Sequence, residues 1–106
     1  MLELTKENFE SEVLEAEGLV FVDFYGDGCI PCAALRPIVD EFAAMYSESF
    51  KFTALNTTKA RRVAIGQKVL GLPVIAIYKD GQKIRELVGD DANREKIESM
   101  LKAFIK

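Results

Sequence analysis

Two cysteines stand in this chain, and they stand close together, as Cys29-Ile30-Pro31-Cys32. A C-x-x-C pair placed where a buried strand ends and a helix begins is a redox signal in a cytosolic protein. The first turn of a helix leaves backbone N–H groups unsatisfied and carries the positive end of the helix dipole, so a thiolate on Cys29 is favoured there. Pro31 suits that turn, having no N–H to lose and a φ already helical. Two intervening residues let Cys32 reach back across one helical turn. The expected cycle is therefore attack by a Cys29 thiolate on a substrate disulfide, a mixed disulfide, and resolution by Cys32, which leaves the two cysteines joined. Two close cysteines have other uses: inert thiols packed as small hydrophobes, or ligands of a cluster shared between two chains. The flanking Gly28 and Pro31 favour the redox reading over both.

Asp23 is the second candidate. It interrupts Leu19-Val20-Phe21-Val22-Asp23-Phe24-Tyr25, a run otherwise apolar and aromatic, and a carboxylate inside such a strand is expensive unless paired, solvated or kept protonated. The functional reading is a general acid/base that takes the proton of Cys32 during resolution; the plainer one is the exposed face of an edge strand. Pro73, ahead of a strand that reads as central, is the third, with simple strand initiation as its plain explanation.

Composition removes competing chemistries. The 106-residue chain contains no histidine, which excludes Ser-His-Asp and Cys-His catalysis and histidine-ligated metals, and two cysteines cannot complete a four-ligand zinc site in one chain. No metal site and no bound cofactor is expected. A formal net charge of −3, with no basic cluster longer than Arg61-Arg62, argues against nucleic acid as a partner. The first residues lack the basic and apolar regions of a secretory signal, and no apolar run approaches the length that spans a bilayer. The expectation is a cytoplasmic protein, and a 49% hydrophobic, 29% charged composition fits one globular domain over residues 1–106.

The elements that must position these residues follow from periodicity. Phe9, Val13, Leu14 and Ala16 recur at helical spacing between Asn8 and Gly18. Residues 19–25 read as a strand buried on both faces. After Gly26-Asp27-Gly28 a long helix is expected over about residues 32–46, with Leu35, Ile38, Val39, Phe42 and Ala43 as its apolar stripe and a kink at Pro37. Residues 50–55 read as a strand, 58–68 as a helix, 74–78 as a strong strand, Asp80-Gly81 as a hairpin turn, 83–88 as the returning strand and 92–105 as a last helix. Residues 2–4 add a short edge strand. Parallel strands joined by helical crossovers, followed by an antiparallel hairpin, imply an α/β fold with a mixed central sheet and helices on both faces.

Taken together these features resemble the thioredoxin family along essentially the whole chain: Asp23-Phe24-Tyr25 six residues before Cys29, C-x-Pro-Cys, Pro37 in the next helix, Gly71-Leu72-Pro73, Asp80-Gly81 and Val88-Gly89. The resemblance implies a thioredoxin fold, a five-stranded mixed sheet flanked by four helices, acting as a monomer. It implies Cys29 as nucleophile, Cys32 as resolving thiol, Asp23 as buried acid/base and Pro73 as a cis-proline facing the disulfide. Gly28, Ile30 and Pro31 beside the nucleophile, with Gly71, Leu72, Pro73 and Gly89, would form the substrate groove. It further implies disulfide-containing protein substrates, a flavoprotein thioredoxin reductase as the source of electrons, and a part in cell redox homeostasis.

The departures from the family pattern are specific. Where the family has Trp-Cys-Gly-Pro-Cys this chain has Gly28 and Ile30, Tyr25 replaces another tryptophan, and Ala54 stands where a lysine usually accompanies the aspartate, so Asp23 is expected to lose a nearby cation. The Gly-Cys-hydrophobic-Pro-Cys variant resembles thioredoxins of amino-acid-fermenting anaerobes, whose partners include glycine reductase. Two alternatives stand beside the disulfide reductase: an oxidase or isomerase, motivated by Ile30, and a scaffold whose thiols are incidental, motivated by Gly28 and Ala54.

Overall fold

The computed structural model describes residues 1–105; the expected domain runs on to Lys106, which lies outside the described residues. Along the chain come β1 (Leu2–Leu4), a single wide π-type helical turn (Glu10–Leu14), β2 (Leu19–Tyr25), α1 (Ile30–Tyr46), β3 (Lys51–Asn56), α2 (Arg61–Gly66), β4 (Val74–Lys79), β5 (Gln82–Val88), a short 3-10 turn (Gly89–Asp91) and α3 (Arg94–Lys102). The strands form one sheet in the order β1-β3-β2-β4-β5, with β1, β3 and β2 parallel and β4 and β5 antiparallel to their neighbours. This is the expected five-stranded mixed α/β sheet.

The period-two alternation of β2 divides the core in two. Val20, Val22 and Phe24 face a layer containing Phe9, Val13, Leu55, Ala64 and Tyr78. Phe21 faces the other way, with Leu35, Val39 and Phe42 of α1 and Ile97 and Leu101 of α3. Asp23, two residues from Phe21, points to that second layer from the central strand, which rules out its reading as an exposed edge residue.

Several boundaries differ from expectation, each for a local hydrogen-bonding reason. The first helix is one wide turn closed by Glu15 N–H donating to the Glu10 carbonyl, while the Asn8 side chain accepts from Thr5 N–H and shapes the turn ahead of it. α1 begins at Ile30, two residues before the expected start, because Cys29 is its cap. It runs on through Pro37, whose missing N–H removes one hydrogen bond at an exposed position. α2 is shorter than expected because Lys59 and Ala60 N–H donate to Asn56 and Thr57 carbonyls in a turn. α3 starts late because Asn93 caps it, its Oδ1 accepting Lys96 N–H at 3.0 Å.

Candidate functional site

Cys29 and Cys32 are joined as a disulfide, with Cα atoms 5.3 Å apart, at the first turn of α1. Cys29 has extended backbone dihedrals (φ −82°, ψ 100°) and its Sγ accepts the N–H of Cys32 at 3.3 Å, so the sulfur occupies the place a serine or aspartate oxygen takes at an ordinary helix start. A negative charge on Cys29 would meet unsatisfied N–H groups and the positive end of a 17-residue helix. The two sulfurs are not equivalent: Cys29 is half-buried, whereas Cys32 is 4% exposed. Pro31 lies in the first turn and is exposed, as is Ile30, at 82%.

The loop that delivers Cys29 is tied to the end of β3. Thr57 donates to the Tyr25 carbonyl through both its N–H (2.7 Å) and its hydroxyl (2.9 Å), Asp27 N–H donates to Thr58 Oγ1, and Asn56 Nδ2 donates to Asp27 Oδ1. Gly26 fits because a Cβ there would lie 2.8 Å from Leu72 Cδ1 and 3.2 Å from Thr58 Oγ1. Gly28 has open space around it but a φ of +73°, which a side chain disfavours.

Gly26 also marks where the second half of the expected site meets the first. Leu72 packs beside it, the Leu72–Pro73 peptide bond is cis, and Pro73 is buried. Phe24 pairs with Val74 and Val74 with Val88, and Gly89 N–H donates to the Pro73 carbonyl at 2.8 Å. The ends of β2, β4 and β5 thus bring Gly71-Leu72-Pro73 and Gly89 to the same end of the strands as the disulfide. The cavities nevertheless divide. One of about 540 Å³ is lined by Tyr25, Gly28, Cys29, Ile30, Cys32 and Arg36, among others. Gly71 and Leu72 line another of about 320 Å³, with Thr58 and Leu70.

Asp23 is 1% exposed. Burial pushes its carboxyl up from the ordinary 3.8 to about 6; Arg36 opposes the shift by charge and hydrogen bond, while Glu3 and Asp40 add to it. Arg36 Nε donates to Asp23 Oδ2 at 3.3 Å, and Asp23 Oδ1 has no hydrogen-bond partner among the described residues. The expectation that Asp23 lacks a cation is corrected here. Ala54 does pair with Asp23 across β3, but α1 supplies Arg36. Sequence reading missed Arg36, although its spacing of four from Cys32 places it on the same side of the helix. It also missed Leu70, 85% exposed immediately before the cis-proline segment.

Among the described residues, no group of three or more His, Cys, Asp or Glu side chains is arranged to hold a metal ion. Residues 1–103 match the family model described as Thioredoxin. The chain is 56% identical to the protein named thioredoxin of Acetoanaerobium sticklandii, covering 99% of this chain and 100% of that one. It is 54% identical to the thioredoxin of Peptoclostridium acidaminophilum, covering 95% and 92%. Thioredoxin 1 of Synechococcus elongatus is 38% identical over 81% of this chain and 80% of its own.

Proposed function

This chain belongs to the thioredoxin family and is a thiol–disulfide oxidoreductase, and from that premise we propose how its residues divide the work. The Cys29 thiolate attacks one sulfur of a substrate disulfide, forming the mixed disulfide and expelling the first substrate thiolate. Asp23, as carboxylate, takes the proton of Cys32. The Cys32 thiolate attacks Cys29 Sγ and expels the second substrate thiolate. Substrate gains two electrons, and the chain loses two as the Cys29–Cys32 disulfide. The observation that carries this reading is Cys29, a half-buried residue at the cap of α1 whose sulfur accepts a hydrogen bond from the Cys32 N–H.

Gly28, Ile30 and Pro31 on one side and Gly71, Leu72, Pro73 and Gly89 on the other form the substrate groove in this reading. The exposure of Ile30, Leu70 and Val88 near this end of the strands supports an apolar footing for a partner's extended chain. Membership of the family implies disulfide-containing protein substrates and a thioredoxin reductase in general. Glycine reductase as one of those substrates and a monomeric state are our finer proposals, the first resting on the Gly28-Cys29-Ile30-Pro31-Cys32 variant. No helix among the described residues is long and apolar enough to cross a membrane. We place the chain in the cytoplasm because a disulfide reductase works where thiols are kept reduced.

The test is insulin-disulfide reduction driven by dithiothreitol, with Cys29→Ser and Cys32→Ser beside the native chain. Both variants are expected to fall to the uncatalysed rate, and Cys29→Ser to form no mixed disulfide. A native chain without turnover would instead favour the scaffold reading. A measured potential near that of the strong oxidants, rather than the reductases, would favour the oxidase or isomerase reading prompted by Ile30.

A further inference from the structure

The charge on Asp23 depends on what surrounds it. Across the sheet, Glu3, Ala54, Asp23 and Ile75 lie in register. β3 and β4 therefore bring only a methyl group and a butyl group against the carboxyl. The charged groups that act on it are Glu3 from β1 and Arg36 and Asp40 from α1, while Tyr25, two residues along its own strand, meets Glu3 and Arg36. Of these, only Arg36 is a cation.

Arg36 is held in place rather than loosely offered. Its guanidinium carbon stacks 4.5 Å from the centre of the Tyr25 ring, its Nε reaches Asp23 Oδ2, and the Tyr25 hydroxyl donates to Glu3 Oε2 at 2.5 Å. The side chain is 31% exposed and lines the same groove as Cys29 and Cys32, whereas Asp23 is sealed beneath it. The outer end of the ion pair thus faces the reacting sulfurs' groove, and the inner end leaves Oδ1 without a partner among the described residues.

We propose that Arg36 is a positioning residue of the redox cycle: braced on Tyr25, it holds Asp23 as a carboxylate from α1, in place of a cation from β3, and so sets how readily Asp23 accepts the Cys32 proton. The inference rests on the reading of Asp23 as acid/base. In the step concerned, the Cys32 S–H bond breaks and its proton passes to Asp23, giving a carboxylic acid and a Cys32 thiolate. That thiolate forms the bond to Cys29 Sγ as the Cys29–substrate bond breaks. The acid then gives its proton to the expelled substrate thiolate, which leaves as a thiol, and Arg36 recovers a charged partner.

Two readouts separate this proposal from a merely structural role. The first is the titration of Asp23 in the oxidised protein, by NMR of the ¹³C-labelled carboxyl, where no free thiol couples to it. The second is the pH profile of resolution, measured as release of a thiol from a mixed disulfide preformed on Cys29. The chains compared are the native one, Arg36→Met, which keeps the apolar stem over Asp23 but removes the charge, and Arg36→Lys. In Arg36→Met the Asp23 titration is expected to rise by about 1 pH unit or more, with the acid limb of the rate profile rising in parallel, since an opposite charge at this distance holds a carboxyl down by that order. Arg36→Lys is expected to recover most of both shifts. Should Arg36→Met fail to fold, Arg36→Gln makes the same comparison. An Asp23 titration that stays put without the charge, while the native rate profile still follows Asp23, overturns the role of Arg36 alone. A titration that moves while the rate profile does not overturns the acid/base role of Asp23, and the proposal with it.

Discussion

At the scale of single residues, Asp23 sets stability and proposed chemistry against each other. Its carboxyl titrates near 3.8 in an unfolded chain and at about 6 in the folded one. Between those values the folded state binds the extra proton, so stability is greatest below the lower value, falls as pH rises through the upper one, and stays reduced above it. A shift of this size is worth about 3 kcal/mol. Asp23→Asn, neutral at every pH and similar in shape, is expected to raise the stability of the oxidised protein by about 2–3 kcal/mol at pH 7–8 and by little below pH 4. Urea unfolding across that range checks it. A gain that persisted undiminished into acid would mean that packing, not charge, was responsible. The sequence discloses that Asp23 is anomalous because one carboxylate in an apolar strand is a local fact. It does not disclose Arg36, because an arginine on an amphipathic helix looks like any solvated residue until the helix is docked on the sheet.

At the scale of elements, the segments joining them govern how they start. α1 is capped by a reactive sulfur, so its cap serves the site and the fold together. α3 carries a cap with no such second duty: Asn93 Oδ1 accepts Lys96 N–H, and Asn93 Nδ2 donates to the Asp90 carbonyl. Asn93→Ala is expected to lower stability by about 1 kcal/mol while leaving disulfide reduction unchanged, a split readable by thermal unfolding beside the insulin assay. Strands β2 and β4 and the Asp80-Gly81 hairpin were legible because their signals are continuous and local. The ends of α1, α2 and α3 were not, since each is decided by one or two hydrogen bonds to a neighbouring loop. The first helix kept its buried positions, Phe9 and Val13, yet took a wider turn that periodicity alone does not distinguish.

For the whole molecule, a sheet covered on both faces means that each layer depends on helices docked from far along the chain. Phe42 ties α1 to the second layer: it is 1% exposed, stacks with Tyr46, and lies under the Arg94 guanidinium at the start of α3. Phe42→Ala is expected to cost about 3–5 kcal/mol, the cavity left in a close-packed interior adding to the lost transfer energy. If denaturant unfolding gave less than about 1 kcal/mol, α1 would be able to settle onto the sheet without that ring, contrary to the packing described.

The sequence by itself determined the chemistry and the layout: two cysteines at helical spacing, no histidine, a carboxylate in an apolar strand, and the alternation of strands and helices. Each of these depends on residues near one another in the chain, where spacing translates directly into geometry. Only the tertiary structure decided what surrounds them. It brought the cis Leu72–Pro73 bond and Gly89 to the end of the strands that carries the disulfide, and it set Arg36 of α1 and Glu3 of β1 around Asp23 of β2. Those neighbours lie on different elements, and the electrostatics of a buried group is fixed by what packs within a few ångströms of it, whatever the distance along the chain.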